Sequence, residues 1–215
     1  MTIRTIVGLA RLGLALACII SLVARFFWGL GSATFTASNF FAYLTIQSNI
    51  VFSIALIASG VSTLRGRPES RRHTTLRATV LTCTLTSGIV FAFLVQQAGE
   101  RGFRIDVPWS DQFLHFWIPA LALIDWILSP GRHRAQWKAV WLAIGFAIVW
   151  GIATLIRGAI VGWYPYFFLD PNQVSGLAEF ALLTGIALSV FAIVGVSLVS
   201  LSRVRPVFGS RADLD

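Results

Sequence analysis

Six stretches of this chain run for about twenty residues each with almost no charge, and nothing else in the sequence limits the fold so strongly. Hydrocarbon offers no water to backbone N–H and C=O groups, so a crossing segment must satisfy them within itself. A helix of ~20 residues, rising 1.5 Å per residue, covers the ~30 Å required. The stretches lie at about 6–28, 40–64, 75–98, 110–129, 137–160 and 175–201. They predict an all-α integral membrane protein, a single six-span bundle over residues 1–215. The first stretch lacks a small-residue cleavage site and is long for a signal core, so it reads as a retained span.

Composition agrees. Of 215 residues 56% are hydrophobic and only 12% charged, against roughly a quarter charged in a soluble domain. The net charge of +8 would suggest nucleic acid in a soluble protein. Here the cations collect in alternate short loops: Arg65, Arg67, Arg71 and Arg72, then Arg132, Arg134 and Lys138, then Arg203, Arg205 and Arg211, with Arg4 at the start. Residues 29–39 carry no charge, and between the fifth and sixth spans only Asp170 is charged. The loop at 99–109 is mixed, with Glu100, Arg101, Arg104 and Asp106. This is the positive-inside pattern, which predicts both termini in the cytoplasm and the cell (inner) membrane as location, with no nucleic-acid partner. Cys18 and Cys83 fall inside apolar spans and read as small buried hydrophobes. Gly158 and Gly162 match the small-xxx-small pattern of helix contacts.

Polar side chains within the spans stand out, because lipid makes them costly and they tend to mark function. Thr45, Ser48 and Asn49 recur at i, i+3 and i+4 and share one helix face, while Gln47 lies about 200° from Thr45. Asp111, His115 and Pro119 share a face of the fourth span at intervals of four. If both spans enter from the outside, Thr45 and His115 sit at one depth, roughly 8 Å below the boundary. Glu179 lies at a similar depth in the sixth span, and Arg25, Gln96, Gln97 and Arg157 stand near outer span ends. A hydroxyl beside an imidazole suggests a nucleophile and its base, with Asp111 as the group that orients the ring. Asn49, Gln47 or Ser48 would then donate to the oxyanion. Arg25 or Arg157 would hold a substrate carboxylate unless Glu179 neutralises it. No metal or organic cofactor is needed, and one intramembrane histidine without a Cys/His cluster predicts no zinc site.

The same residues have structural readings. Thr, Ser, Asn and Gln bond across membrane helices, arginines near span ends snorkel to headgroups, and an acidic residue near a helix start complements its dipole. A small transporter or lipid carrier would use Asp125, deeper in the fourth span, but such folds favour internal repeats, and none is visible here.

The run Asn39-Phe40-Phe41-Ala42-Tyr43-Leu44-Thr45-Ile46-Gln47-Ser48-Asn49, His115 with Pro119 and Asp125-Trp126, and Tyr164-Pro165-Tyr166 with Leu169-Asp170-Pro171 together resemble the androgen-induced membrane hydrolases. More closely, the chain is similar to a bacterial six-span branch related to them. Those hydrolases are multi-span threonine enzymes that cleave fatty acid esters of hydroxy fatty acids. The resemblance covers roughly spans two to six and implies Thr45 as nucleophile, His115 as base and a lipid substrate taken from the bilayer. It departs at Gln47-Ser48-Asn49, which is more polar than the eukaryotic pattern.

Overall fold

The computed structural model describes residues 2–32, 35–100, 102, 106–128 and 132–205. Arg101, Arg104 and Arg211 of the charge pattern lie outside the described residues. Helix α1 (Ile3–Gly29) opens under Thr2, whose hydroxyl accepts the Thr5 N–H at 3.3 Å and so satisfies one of the unpaired donors of a first turn. A short α2 (Ala37–Ala42) leads into α3 (Leu44–Leu64), and α4 (Arg71–Glu100) follows. Then α5 (Trp109–Gln112), a π-helical turn (Phe113–Trp117) and α6 (Ile118–Leu128) run on without a gap. Helix α7 (Lys138–Val161), a 3₁₀ turn (Phe167–Leu169) and α8 (Leu177–Leu201) complete the described chain, which contains no strand.

Five of these helices, α1, α3, α4, α7 and α8, are long and apolar enough to cross a membrane. The fourth predicted span is helical over 109–128 but divided into three pieces. Pro119 supplies the reason. It has no N–H for the carbonyl of His115, and the backbone widens, so that the N–H of Ile118 reaches the carbonyl of Phe113 five residues back. The freed His115 carbonyl packs against Gly88 of α4, where any Cβ would collide with it. The second predicted span is also interrupted: Tyr43 is extended (φ −66°, ψ 132°) and separates α2 from α3.

Polarity is inverted relative to a water-soluble fold. Outward faces carry Phe27, Ile54, Val149 and Ile160, the last 78% exposed. Arg11, Ser59, Thr74, Thr84 and Asn49 are buried inside. Contiguous exposed apolar surface on this scale suits lipid as the solvent. α1 and α3 approach backbone to backbone where Gly8 and Gly60 face each other; a Cβ on Gly60 would lie 3.1 Å from the Gly8 carbonyl oxygen. That is the small-residue crossing of this bundle. The pair anticipated for that role acts otherwise: Gly158 lies under the Tyr164 ring, and Gly162 ends α7 in the left-handed region (φ 69°).

The end of the bundle holding the α3–α4 loop contains a buried four-charge network. Arg11 donates through Nε to Asp125 at 2.9 Å and through Nη1 to Glu69 at 3.0 Å and to Thr63 at 2.8 Å. Arg77 bonds Asp125 at 2.6 Å and also pairs with Glu69, which in addition accepts from Ser59. Asp125, the residue a carrier would use, is thus an ion-pair partner of Arg11 and Arg77.

Candidate functional site

The break at Tyr43 places Thr45 in the first turn of a new helix, not part-way along a span. Tyr43 gives α3 no side-chain cap, and the first intrahelical bond at this end is Gln47 N–H to the Tyr43 carbonyl. The amides of Leu44, Thr45 and Ile46 thus precede the ladder, as the first donors of a helix do. The π turn in the broken helix, in turn, sets where His115 projects.

These two local departures meet at one cavity. A space of about 190 Å³ is lined by Thr45, His115, Arg25, Asp111, Tyr43 and Tyr166, with Phe40, Ile46, Phe91, Leu94, Asp106 and Pro165 completing the wall. Thr45 is 4% and His115 7% exposed. The imidazole lies flat on Phe91, centroids 3.8 Å apart at 9°, and its Nδ1 has no hydrogen-bond partner. The Tyr166 phenol interacts with the Thr45 side chain and with the backbone of Leu44 and Thr45.

The remaining predicted residues divide. Arg25 and Asp111 are at the cavity, joined by an Nε–Oδ1 ion pair of 2.7 Å. Asp111 therefore serves Arg25, and the ring of His115 is held by stacking instead of by a carboxylate. Asn49, favoured as oxyanion donor, does not line the cavity. Its amide donates to the Thr45 carbonyl at 2.9 Å, and its Oδ1 faces the Cys18 thiol at 3.4 Å. Ser48 donates to the same carbonyl at 3.1 Å, and Gln47 donates to the Phe41 carbonyl at 3.0 Å. Short polar side chains in helices bond preceding carbonyls in this way. Arg157 binds Asn39 at 2.6 Å and Ser38 at 3.3 Å, tying α7 to α2. Glu179 sits in the first turn of α8 and accepts the Ser175 N–H at 2.6 Å. Gln96 and Gln97 both bond Glu100. Among the described residues, no three His, Cys, Asp or Glu side chains group as metal ligands.

Phe91 and Tyr166 were not singled out as site residues from the sequence. Tyr166 carried a signal in its loop motif, Tyr164-Pro165-Tyr166, whereas Phe91 is one apolar residue among many.

A second cavity, about 200 Å³ and apolar, lies beyond Tyr166, between α4, α7 and α8. Leu44, Thr86, Val90, Gly151, Phe180 and Leu188 are among the residues that line it.

Compared with protein-family models, curated proteins and solved structures, the chain matches none.

Proposed function

We propose that this chain is an intramembrane lipid-ester hydrolase related to the androgen-induced membrane hydrolases, with Thr45 as nucleophile and His115 as general base. The observation that supports it best is the shared cavity: a buried hydroxyl and a buried imidazole from distant helices line one small space beside a cation. In this reading the helical run at 109–128 is the fourth of six crossings, broken at its π turn. The arginine-rich loops and both termini face the cytoplasm of the cell (inner) membrane. The substrate reaches Thr45 sideways from the outer leaflet, and a fatty acid ester of a hydroxy fatty acid is the substrate that the resemblance implies.

Thr45 Oγ1 attacks the ester carbonyl carbon while His115 takes the hydroxyl proton. The negative charge on the carbonyl oxygen falls to the backbone amides at the start of α3, which precede the helix ladder and replace Asn49 in that role; the Tyr166 phenol, which meets the backbone of Leu44 and Thr45, yields them to it. As the intermediate collapses, the bond to the leaving oxygen breaks and His115 returns the proton to the departing alcohol. Water, deprotonated by His115, then adds to the acyl-threonine ester; the bond to Thr45 Oγ1 breaks, the fatty acid leaves and His115 returns the proton to the threonine oxygen. Arg25 binds a substrate carboxylate in place of Asp111. The carrier alternative is weaker because Asp125, its natural proton site, is paired with Arg11 and Arg77.

Fluorophosphonate labelling tests the mechanism. Wild type is expected to label and Thr45→Ala to remain unlabelled; equal labelling of the two discards the threonine nucleophile.

A further inference from the structure

Thr45 and Leu44 are neighbours in the chain, yet they line different spaces. Thr45 faces the polar cavity with His115, and Leu44 faces the apolar cavity between α4, α7 and α8. Tyr166 lines both, and its ring is fixed by Phe168, stacked at 5.6 Å, and by Trp150 at 5.7 Å. The apolar cavity also reaches the outward surface, where Ile148 (43% exposed) and Ile152 (54% exposed) stand on its rim. One side of it therefore adjoins the hydroxyl and the other opens where lipid chains would lie.

We infer that this apolar cavity is the acyl-chain subsite of the Thr45–His115 site, with Tyr166 as the partition past which the chain runs. The inference rests on the hydrolase reading and adds to it the location of the chain and the residues that set its length. A single alkyl chain is the occupant that fits. Val90, Leu155, Phe180, Leu188 and Phe191 present hydrocarbon, and the rim admits a guest from the bilayer without passage through water. A chain that arrives from hydrocarbon gains little from apolar burial itself, so selectivity for chain length reads how well the chain fits the space. Gly151 lines the cavity, and a Cβ on it would meet nothing within 4 Å. A larger side chain at 151 therefore takes up room without a clash at its base.

The probes are 4-methylumbelliferyl acetate, octanoate and palmitate, hydrolysed by the full chain in detergent. Gly151→Leu, and Ala187→Phe at another residue that lines the cavity, are expected to lower kcat/KM for octanoate and palmitate at least tenfold and for acetate less than twofold. An unchanged chain-length profile in both variants overturns the subsite. A second measurement does not depend on turnover: palmitate carrying a diazirine is cross-linked to the protein and the labelled peptides are mapped. Labelling of the α4, α7 and α8 segments that wall the cavity, reduced at least fivefold by Gly151→Leu, supports the subsite even if no ester is cleaved, in which case the hydrolase reading alone falls. Hydrolysis that persists with labelling unaffected by Gly151→Leu overturns the subsite and leaves the hydrolase reading standing.

Discussion

Asn49 is fully buried, and its amide already serves the Thr45 carbonyl while its oxygen faces Cys18. It holds the first turns of α3 in shape and does not line the cavity shared by Thr45 and His115. Asn49→Ala is expected to cost about 1–3 kcal/mol in stability, because it strips partners from buried polar groups. Turnover per folded molecule should change little, which thermal melts beside active-site titration will check. His115 is the opposite case. It stacks on Phe91, meets the Ser87 backbone and has an unpartnered Nδ1, so His115→Ala should keep the fold and lower the melting temperature only through lost packing. Its turnover should fall about 10²–10⁴-fold, as on loss of a general base; a variant that keeps wild-type rates would exclude His115 from the chemistry. Both residues stood out in the sequence as polar groups in lipid. Their difference did not, since i, i+3, i+4 spacing reports a shared face and not which groups close on the backbone of their own helix.

Hydropathy alone located every long helix to within a few residues, because length and apolarity answer directly to bilayer thickness. The two interruptions were less legible. Pro119 announced a disturbance near His115, but the π turn also needs Gly88, 27 positions earlier in the chain, to accept the displaced carbonyl. At Tyr43 no proline or glycine marks the break between α2 and α3. The π turn makes a specific prediction. Pro119→Ala restores an N–H and permits a regular helix, so stability should hold or rise. Relaxation of the turn would rotate His115 away from the cavity, and turnover should drop about 10²-fold, the scale of a 1 Å misplacement. Gly88→Ala should harm both properties, with overpacking costing about 1–3 kcal/mol. Melting and turnover measured together separate the two variants.

Over the whole molecule, Arg11, Glu69, Arg77 and Asp125 join α1, the α3–α4 loop, α4 and α6 into one charge-balanced unit. Arg11 and Arg77 lie within apolar spans and Glu69 in a loop, so nothing local in the sequence identified them as partners. Removing one member of such a buried set costs about 3–5 kcal/mol, so Asp125→Ala should melt much earlier than wild type. A double variant that also removes Arg11 should recover part of the loss. Burial would raise the Glu69 carboxyl, but the Arg77 and Arg11 guanidiniums and the Ser59 hydroxyl bring it down to about 2. A carboxylate depressed on folding contributes its stability above its ordinary value of 4.5, and that contribution is lost as pH falls towards about 2. The wild-type melting temperature should therefore drop between pH 5 and pH 2.5. Glu69→Gln should begin lower and be less sensitive to acid, which a pH series of melts will show.

The Arg11–Asp125 pair spans 114 positions in the chain, and this bears on biosynthesis. At ribosomal rates of about 5–20 residues per second, the guanidinium leaves the exit tunnel several seconds before its distal carboxylate has been polymerised. The first helix thus carries an unpaired guanidinium when it is made and a neutralised one once α6 arrives, so its final seating belongs late in assembly.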